Sequence, residues 1–291
     1  MRPRNIGDVT VAAVVELERV GLPAQMVFPD WSAELLKAEP EATAPLHYDD
    51  KEKAIIVAMQ SFLLKTRHHT ILIDTCVGND KQRNNPHFNR LRIPWLERLT
   101  ATGTRVEDVD FVLCTHMHVD HVGWNTRLEN GRWVPTFPNA RYIFARQEWE
   151  HWQRMSRENQ LTRTGDYVAD SVLPIVEAGR ADLVETDHEI EDGIWLDHLP
   201  GHTPGLVGVH LKNSGGEAIF CGDMMHHLIQ VARPGMSTNF DTDQKQAAET
   251  RRRFLDSTAG TNILVVPSHF PGATAGHVHR RDAKGFGFKF D

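Results

Sequence analysis

The stretch "CTHMHVDHVGW", residues 114–124, crowds His116, His118, Asp120 and His121 into six consecutive positions. Imidazoles and carboxylates at that density repel or waste packing unless something gathers them. Two readings compete for the stretch taken alone, a polar surface loop and a metal site. The neighbouring sequence decides between them. Immediately upstream, "DFVLCT" (110–115) reads as a short buried strand, entered through a capping-type turn from Thr104 to Glu107. The histidine cluster therefore begins where an apolar strand ends.

Working outward, the same register recurs. His202 in "LPGHTPG", Asp223 in "FCGDMMH" and His269 in "VPSHFPG" each follow an apolar run. The runs "IWLDHL" (194–199), "EAIFCGD" (217–223) and "NILVVPSHF" (262–270) read as strands. So do "VTVAAVVEL" (9–17), the hairpin 53–66 with 69–75, "ARYIFA" (140–145), "DLVET" (182–186) and "LVGVHL" (206–211). Helices are expected at 93–103, 146–155 and 241–258, the last opened by Asp241 or Thr242. The segment 156–180 is expected to be helical or irregular and to act as a lid. Helices alternating with strands point to a layered α/β fold, whose chemistry sits in strand-end loops. No linker, low-complexity run or internal repeat interrupts the pattern, so residues 1–291 read as one domain.

Composition narrows the function. The 291 residues are 40% hydrophobic and 24% charged, with 32 Lys and Arg against 39 Asp and Glu. That balance disfavours nucleic acid as a partner. The basic triplet in "TRRRF" (250–254) reads as the solvated face of a helix. Cys76, Cys114 and Cys221 are odd in number and follow no disulfide or zinc-knuckle spacing, so they read as small buried apolar groups. The N-terminal apolar run is cut by Asp8, Glu16 and Glu18, and nothing reaches the ~18 apolar residues of a membrane span. A cytoplasmic protein with no membrane partner is the expectation.

His116, His118, Asp120, His121, His202, Asp223 and His269 together can hold two borderline metal ions with one shared carboxylate. Imidazole nitrogen and carboxylate oxygen suit two Zn²⁺ per chain best, and Fe, Mn or Co also fit. A water shared by two dications ionises near neutral pH rather than at the ~15.7 of bulk water. A single H-x-H is weak evidence, whereas H-x-H-x-D-H followed in order by "GHTPG", "GD" and "SHFPG" is specific.

From about residue 50 to the end, these motifs resemble the metallo-β-lactamase superfamily, in particular its N-acyl-homoserine lactone lactonase and methyl-parathion-hydrolase-like branch. The resemblance implies an αβ/βα four-layer sandwich. It implies one site of His116, His118 and His202, a second of Asp120, His121 and His269, and Asp223 as the bridge. It implies a dinuclear hydrolase whose bridging hydroxide opens a lactone or small ester, with Asp120 helping to move a proton. A phosphotriester or phosphodiester hydrolase is the alternative. Iron oxidoreductase and non-catalytic scaffold readings fit less well, since the ligand set is complete and no flavodoxin-like domain has room. Several relatives carry a tyrosine three residues after the bridging aspartate, where this chain has His226. His226 is therefore a candidate catalytic group, with His227, Gln230 and Asp243 as weaker supports. Trp124 and Phe270 are candidate pocket walls. His277 and His279 are marginal candidates, and the remaining histidines read as structural. The expected partner is a small-molecule substrate, and the resemblance implies a homodimer.

Overall fold

A computed structural model describes residues 1–281 and 285–291. The chain divides into two compact units. The first comprises Arg2–Glu16 and Met59–Thr186, and the second comprises Met1, Leu17–Ala58 and Asp187–Asp291.

The first unit is organised by four parallel strands, Thr70–Ile73, Phe111–Cys114, Arg141–Ala145 and Ala181–Val184. Ile71, Leu72, Ile73, Val112 and Leu113 are all buried. Continuous apolar runs, rather than alternating ones, are what parallel strands covered on both faces require. Their sheet has eight strands and continues through Ala54–Lys65 and Val9–Pro23, long strands that contribute residues to both units. Ala54–Lys65 is buried everywhere except at Lys65. The expected hairpin is present, with Phe62 opposite Ile73. The helix Arg146–Arg157 buries Glu148, Trp149 and Trp152 along one stripe.

The segment expected to form a lid holds two short helices, Tyr167–Ser171 and Leu173–Glu177. It is fastened down. Asp170 accepts from Arg83 at 2.6 and 2.7 Å and lies 3.4 Å from the buried Lys81 ammonium. Burial pulls the Lys81 pKa down to about 7, against the attraction of Asp170.

The second unit contains a seven-stranded sheet in the order Glu189–Glu191, Ile194–His198, Val207–Asn213, Gly216–Phe220, Leu264–Val266, Gly276–Arg280, Phe286–Phe290. Its neighbours are antiparallel except Gly216–Phe220 and Leu264–Val266. A parallel pair needs a crossover, and the helix Gln244–Thr258 lies in that connection. The expected strand 262–270 is shorter because Pro267 has no N–H to continue the ladder. The helix is capped by Asp243, which accepts from Gln246 N at 2.9 Å, and not by Asp241 or Thr242. Its basic triplet is not wholly solvated, since Arg251 is 0% exposed. Among the described residues no helix is long and apolar enough to cross a membrane.

Candidate metal centre

In the first unit, the strand Phe111–Cys114 delivers the chain to Asp74, at the end of the neighbouring strand. Asp74 Oδ1 accepts from Thr115 N at 2.7 Å, and Oδ2 accepts from the Thr115 hydroxyl at 3.0 Å. His121 Nδ1 lies 2.9 Å from the same Oδ2. His116 Nδ1 lies 3.1 Å from Thr115 Oγ1. A carboxylate only accepts, so His121 carries its proton at Nδ1. The Thr115 hydroxyl proton points to Asp74, so its oxygen accepts from His116 Nδ1. Both rings therefore present Nε2 as a lone pair, the form a metal needs.

The rings of His116 and His121 are 4.1 Å apart, and those of His116 and His118 are 4.7 Å apart. Trp152 meets His118 edge-on at 5.0 Å. Glu148 Oε2 accepts from both Trp152 Nε1, at 2.7 Å, and Met117 N, at 3.0 Å. That carboxylate fixes the backbone between His116 and His118 together with the ring that backs His118. Asp120 Oδ1 lies 3.9 Å from His121 Nε2.

In the second unit, three imidazoles face one carboxylate. Asp223 Oδ1 is 2.9 Å from His269 Nε2, while Oδ2 is 3.4 Å from His202 Nε2 and 3.1 Å from His226 Nε2. His269 Nδ1 lies 2.8 Å from the Ala58 carbonyl, and His202 Nδ1 lies 2.8 Å from Asp241 Oδ1. Neither partner can donate, so both rings carry a proton at Nδ1 and in their neutral form aim a lone pair at Asp223. Lone pairs facing a carboxylate are repulsive unless a cation lies among them or the rings are protonated. Burial pulls the His202 pKa down, but its bonds to Asp223 and Asp241 outweigh that and lift it to about 9. The position of His202 depends on Gly201, at φ +130°, where a Cβ would come within 2.2 Å of Ala247 N.

His226 is built differently. Its backbone N–H donates to Gln230 Oε1 at 2.7 Å, and its Nδ1 is buried without a hydrogen-bond partner. Burial holds its pKa down. A neutral His226 thus donates Nε2–H to Asp223 and keeps Nδ1 as an open acceptor. Donor atoms of Asp223, His226 and His269 all lie within 4.8 Å of one another. Nitrogen and carboxylate donors with fixed tautomers in both units suit zinc and its borderline neighbours.

Other expectations fare differently. Trp124 is buried, stacks on Trp95 at 5.5 Å and donates to Glu16 Oε1 at 2.7 Å. Phe270 is fully buried edge-on against Phe288. Both are taken up by interior packing rather than set on an open wall. Asp243 caps a helix, and Gln230 supports His226. His227 Nε2 donates to the His47 carbonyl at 2.9 Å, within an aromatic cluster that includes Phe28 and Trp31. His277 Nδ1 lies 3.0 Å from the Ile263 carbonyl, on a strand flanked by Leu264–Val266 and Phe286–Phe290. The three cysteines are buried and free, with thiol pKa values pushed up by burial. The sequence reads Asp241 only as a helix cap and Arg251 only as part of a solvated face, and it assigns no role to Asp74 or Glu148. A strand-end carboxylate in "ILIDT" was the one available signal, and only for Asp74.

Comparison with known proteins gives a consistent picture. An N-acyl homoserine lactonase of Bacillus sp is 28% identical over 156 residues, covering 50% of this chain and 54% of the relative. The N-acyl homoserine lactonase AiiB of Agrobacterium fabrum is 24% identical over 180 residues, covering 55% and 60%. The chain thus spans little more than half the length of the curated relatives it matches. A solved structure described as hydrolase AbOPH in the beta lactamase superfamily superposes with a TM-score of 0.80 at 25% identity, covering 98% of this chain and 95% of that one. AidC, described as a dizinc quorum-quenching lactonase in complex with a product, superposes with a TM-score of 0.81 at 21% identity, covering 100% and 97%. With the family model matching residues 59–282, the chain belongs to the metallo-beta-lactamase superfamily.

Proposed function

We propose that residues 1–291 act as one metal-dependent hydrolase that opens a lactone or small ester. The observation that carries this reading is the tautomer pattern. His116, His121, His202 and His269 each have Nδ1 held by a protein group, so that in the neutral ring Nε2 is the nitrogen available to a metal. Four histidines held through the same ring nitrogen, by Asp74, Asp241 and the Ala58 carbonyl, are what a metal centre needs and what packing alone does not require. In this reading the zinc ligands would be His116, His118, Asp120 and His121 of the first unit and His202, Asp223 and His269 of the second. The bound pair supplies an activated water and a Lewis acid for an acyl carbonyl.

The chain's own groups do the rest. Asp120, less deeply buried than His121, has the access to take up and pass on a proton. His226 orients Asp223 through Nε2–H and offers Nδ1 to a donor on the substrate. The similarity to lactonases supports an acyl substrate over the alternative, a phosphotriester or phosphodiester.

The test is zinc content of protein purified without chelator, followed by hydrolysis of N-acyl homoserine lactones, simple lactones, aryl esters and phosphotriesters. About two zinc per chain, with lactone turnover lost on chelation and restored by zinc, is the expected result. Two zinc with phosphotriester turnover alone would move the substrate to the alternative class. Failure to take up zinc would sink the proposal.

A further inference from the structure

Behind His202 lies a buried arginine that none of the metal-site motifs contains. Arg251, on the helix Gln244–Thr258, donates Nε to the Met224 carbonyl at 2.9 Å and NH1 to the Pro234 and Met236 carbonyls at 2.7 and 2.8 Å. Its NH2 lies 3.8 Å from Asp241 Oδ2, and Thr238 N donates to that same oxygen at 2.8 Å. The other oxygen, Oδ1, receives His202 Nδ1–H. The backbone is locked in parallel, with Thr242 N donating to the His202 carbonyl and Asp243 N to the Gly201 carbonyl, both at 2.9 Å. One guanidinium therefore ties the loop that follows Asp223 to the carboxylate that sets His202. Burying a guanidinium is costly unless its donors are satisfied, and here backbone carbonyls take Nε–H and both NH1 hydrogens while NH2 faces the Asp241 carboxylate.

We propose that Arg251, acting through Asp241, is a positioning residue that fixes His202 in its metal-binding form. The inference rests on the reading of His202 as a metal ligand. The carboxylate is specifically required. An amide at position 241 would turn its oxygen toward Thr238 N–H and Arg251, both donors. Its NH₂ would then face His202 Nδ1 and force the ring proton onto Nε2, where it blocks a metal. Arginine at 251 is required because its planar fork reaches three carbonyls and the carboxylate together, which a lysine ammonium cannot.

The experiment compares wild type, Asp241→Asn and Arg251→Lys as full-length protein. Folding is checked by thermal melting and near-UV circular dichroism, zinc affinity by chelator competition, and His202 by long-range ¹H–¹⁵N NMR. In wild type, with or without zinc, His202 should show a low-field Nδ1–H. In Asp241→Asn that proton should disappear and zinc affinity should fall about 10- to 100-fold, the usual effect of losing a group that orients a metal ligand. Arg251→Lys should keep the proton but weaken zinc binding by a smaller factor. An unchanged Nδ1–H signal and zinc affinity in a folded Asp241→Asn would overturn the proposal. If Asp241→Asn does not fold, Arg251→Lys with wild-type zinc affinity overturns it instead. Absence of zinc binding by wild type would defeat the functional reading, while the Nδ1–H signal of the zinc-free pair would still report on the relay.

Discussion

The two donor regions reach the same tautomer by different means. In the first unit His116 and His121 lean on a single side chain, Asp74, one of them through the Thr115 hydroxyl. In the second unit the anchors are separate, with His269 on the Ala58 backbone carbonyl and His202 on Asp241. A concentrated arrangement is fragile at one residue, and a distributed one is not. Asp74 also sits at φ +57°, a backbone conformation that few residue types other than Gly, Asn and Asp adopt readily. The largest effect is therefore expected at Asp74. Replacing it with alanine frees two histidines and strands Thr115 N–H. Zinc affinity should fall by more than the ~10- to 100-fold expected when one supporting partner is lost, and further than in Asp241→Asn. Equal losses in chelator competition would show that the two regions are supported alike after all.

The same contrast explains what the sequence could disclose. The donors themselves were legible, because H-x-H-x-D-H is local and the later motifs recur at strand ends. Their supports were not. Asp74 is 47 residues from His121, and Asp241 is 39 residues from His202. No pattern of residue type or spacing predicts which distant carboxylate meets which ring. Most strands and helices were readable from apolar periodicity. The hairpin Thr126–Glu129 with Arg132–Pro135 turns on Asn130-Gly131 and was announced by that dipeptide, yet was passed over beside the histidine motif. Arg251 shows the limit of charge patterning. Three consecutive arginines look like one solvated face, but successive helical residues point about 100° apart, and this one points inward.

An intermediate effect is expected at Glu148, and it separates shape from charge. Its Oε2 receives both Met117 N–H and Trp152 Nε1–H. Glu148→Ala strands two buried donors, at about 1–3 kcal/mol each, and should lower the urea midpoint and weaken zinc binding through His118. Glu148→Gln can offer its one carbonyl oxygen to both donors, so it should lose much less. If Gln proves as damaging as Ala, the negative charge rather than the acceptor geometry is what the first unit needs there.

The smallest effect on zinc binding is expected at Glu16, where the change is instead one of stability with pH. This buried carboxylate accepts from Val77 N at 2.8 Å, Gly78 N at 3.0 Å and Trp124 Nε1 at 2.7 Å, fixing the chain just beyond Asp74. Burial raises its pKa from 4.5 to about 7, and the three N–H donors only partly oppose it. A carboxyl with a raised native pKa holds its proton more tightly folded than unfolded. Its contribution to stability is therefore complete below the unfolded value near 4.5 and is lost as pH rises toward 7. The change amounts to about 3 kcal/mol across that window. Glu16→Gln stays neutral throughout and should lack this dependence. The stability of wild type relative to Glu16→Gln, from urea denaturation, should fall between pH 4.5 and 7.5 and then level off. A difference that stays flat with pH would mean that the three donors hold Glu16 ionised throughout, making the cradle a preorganised anion site like that around Asp74.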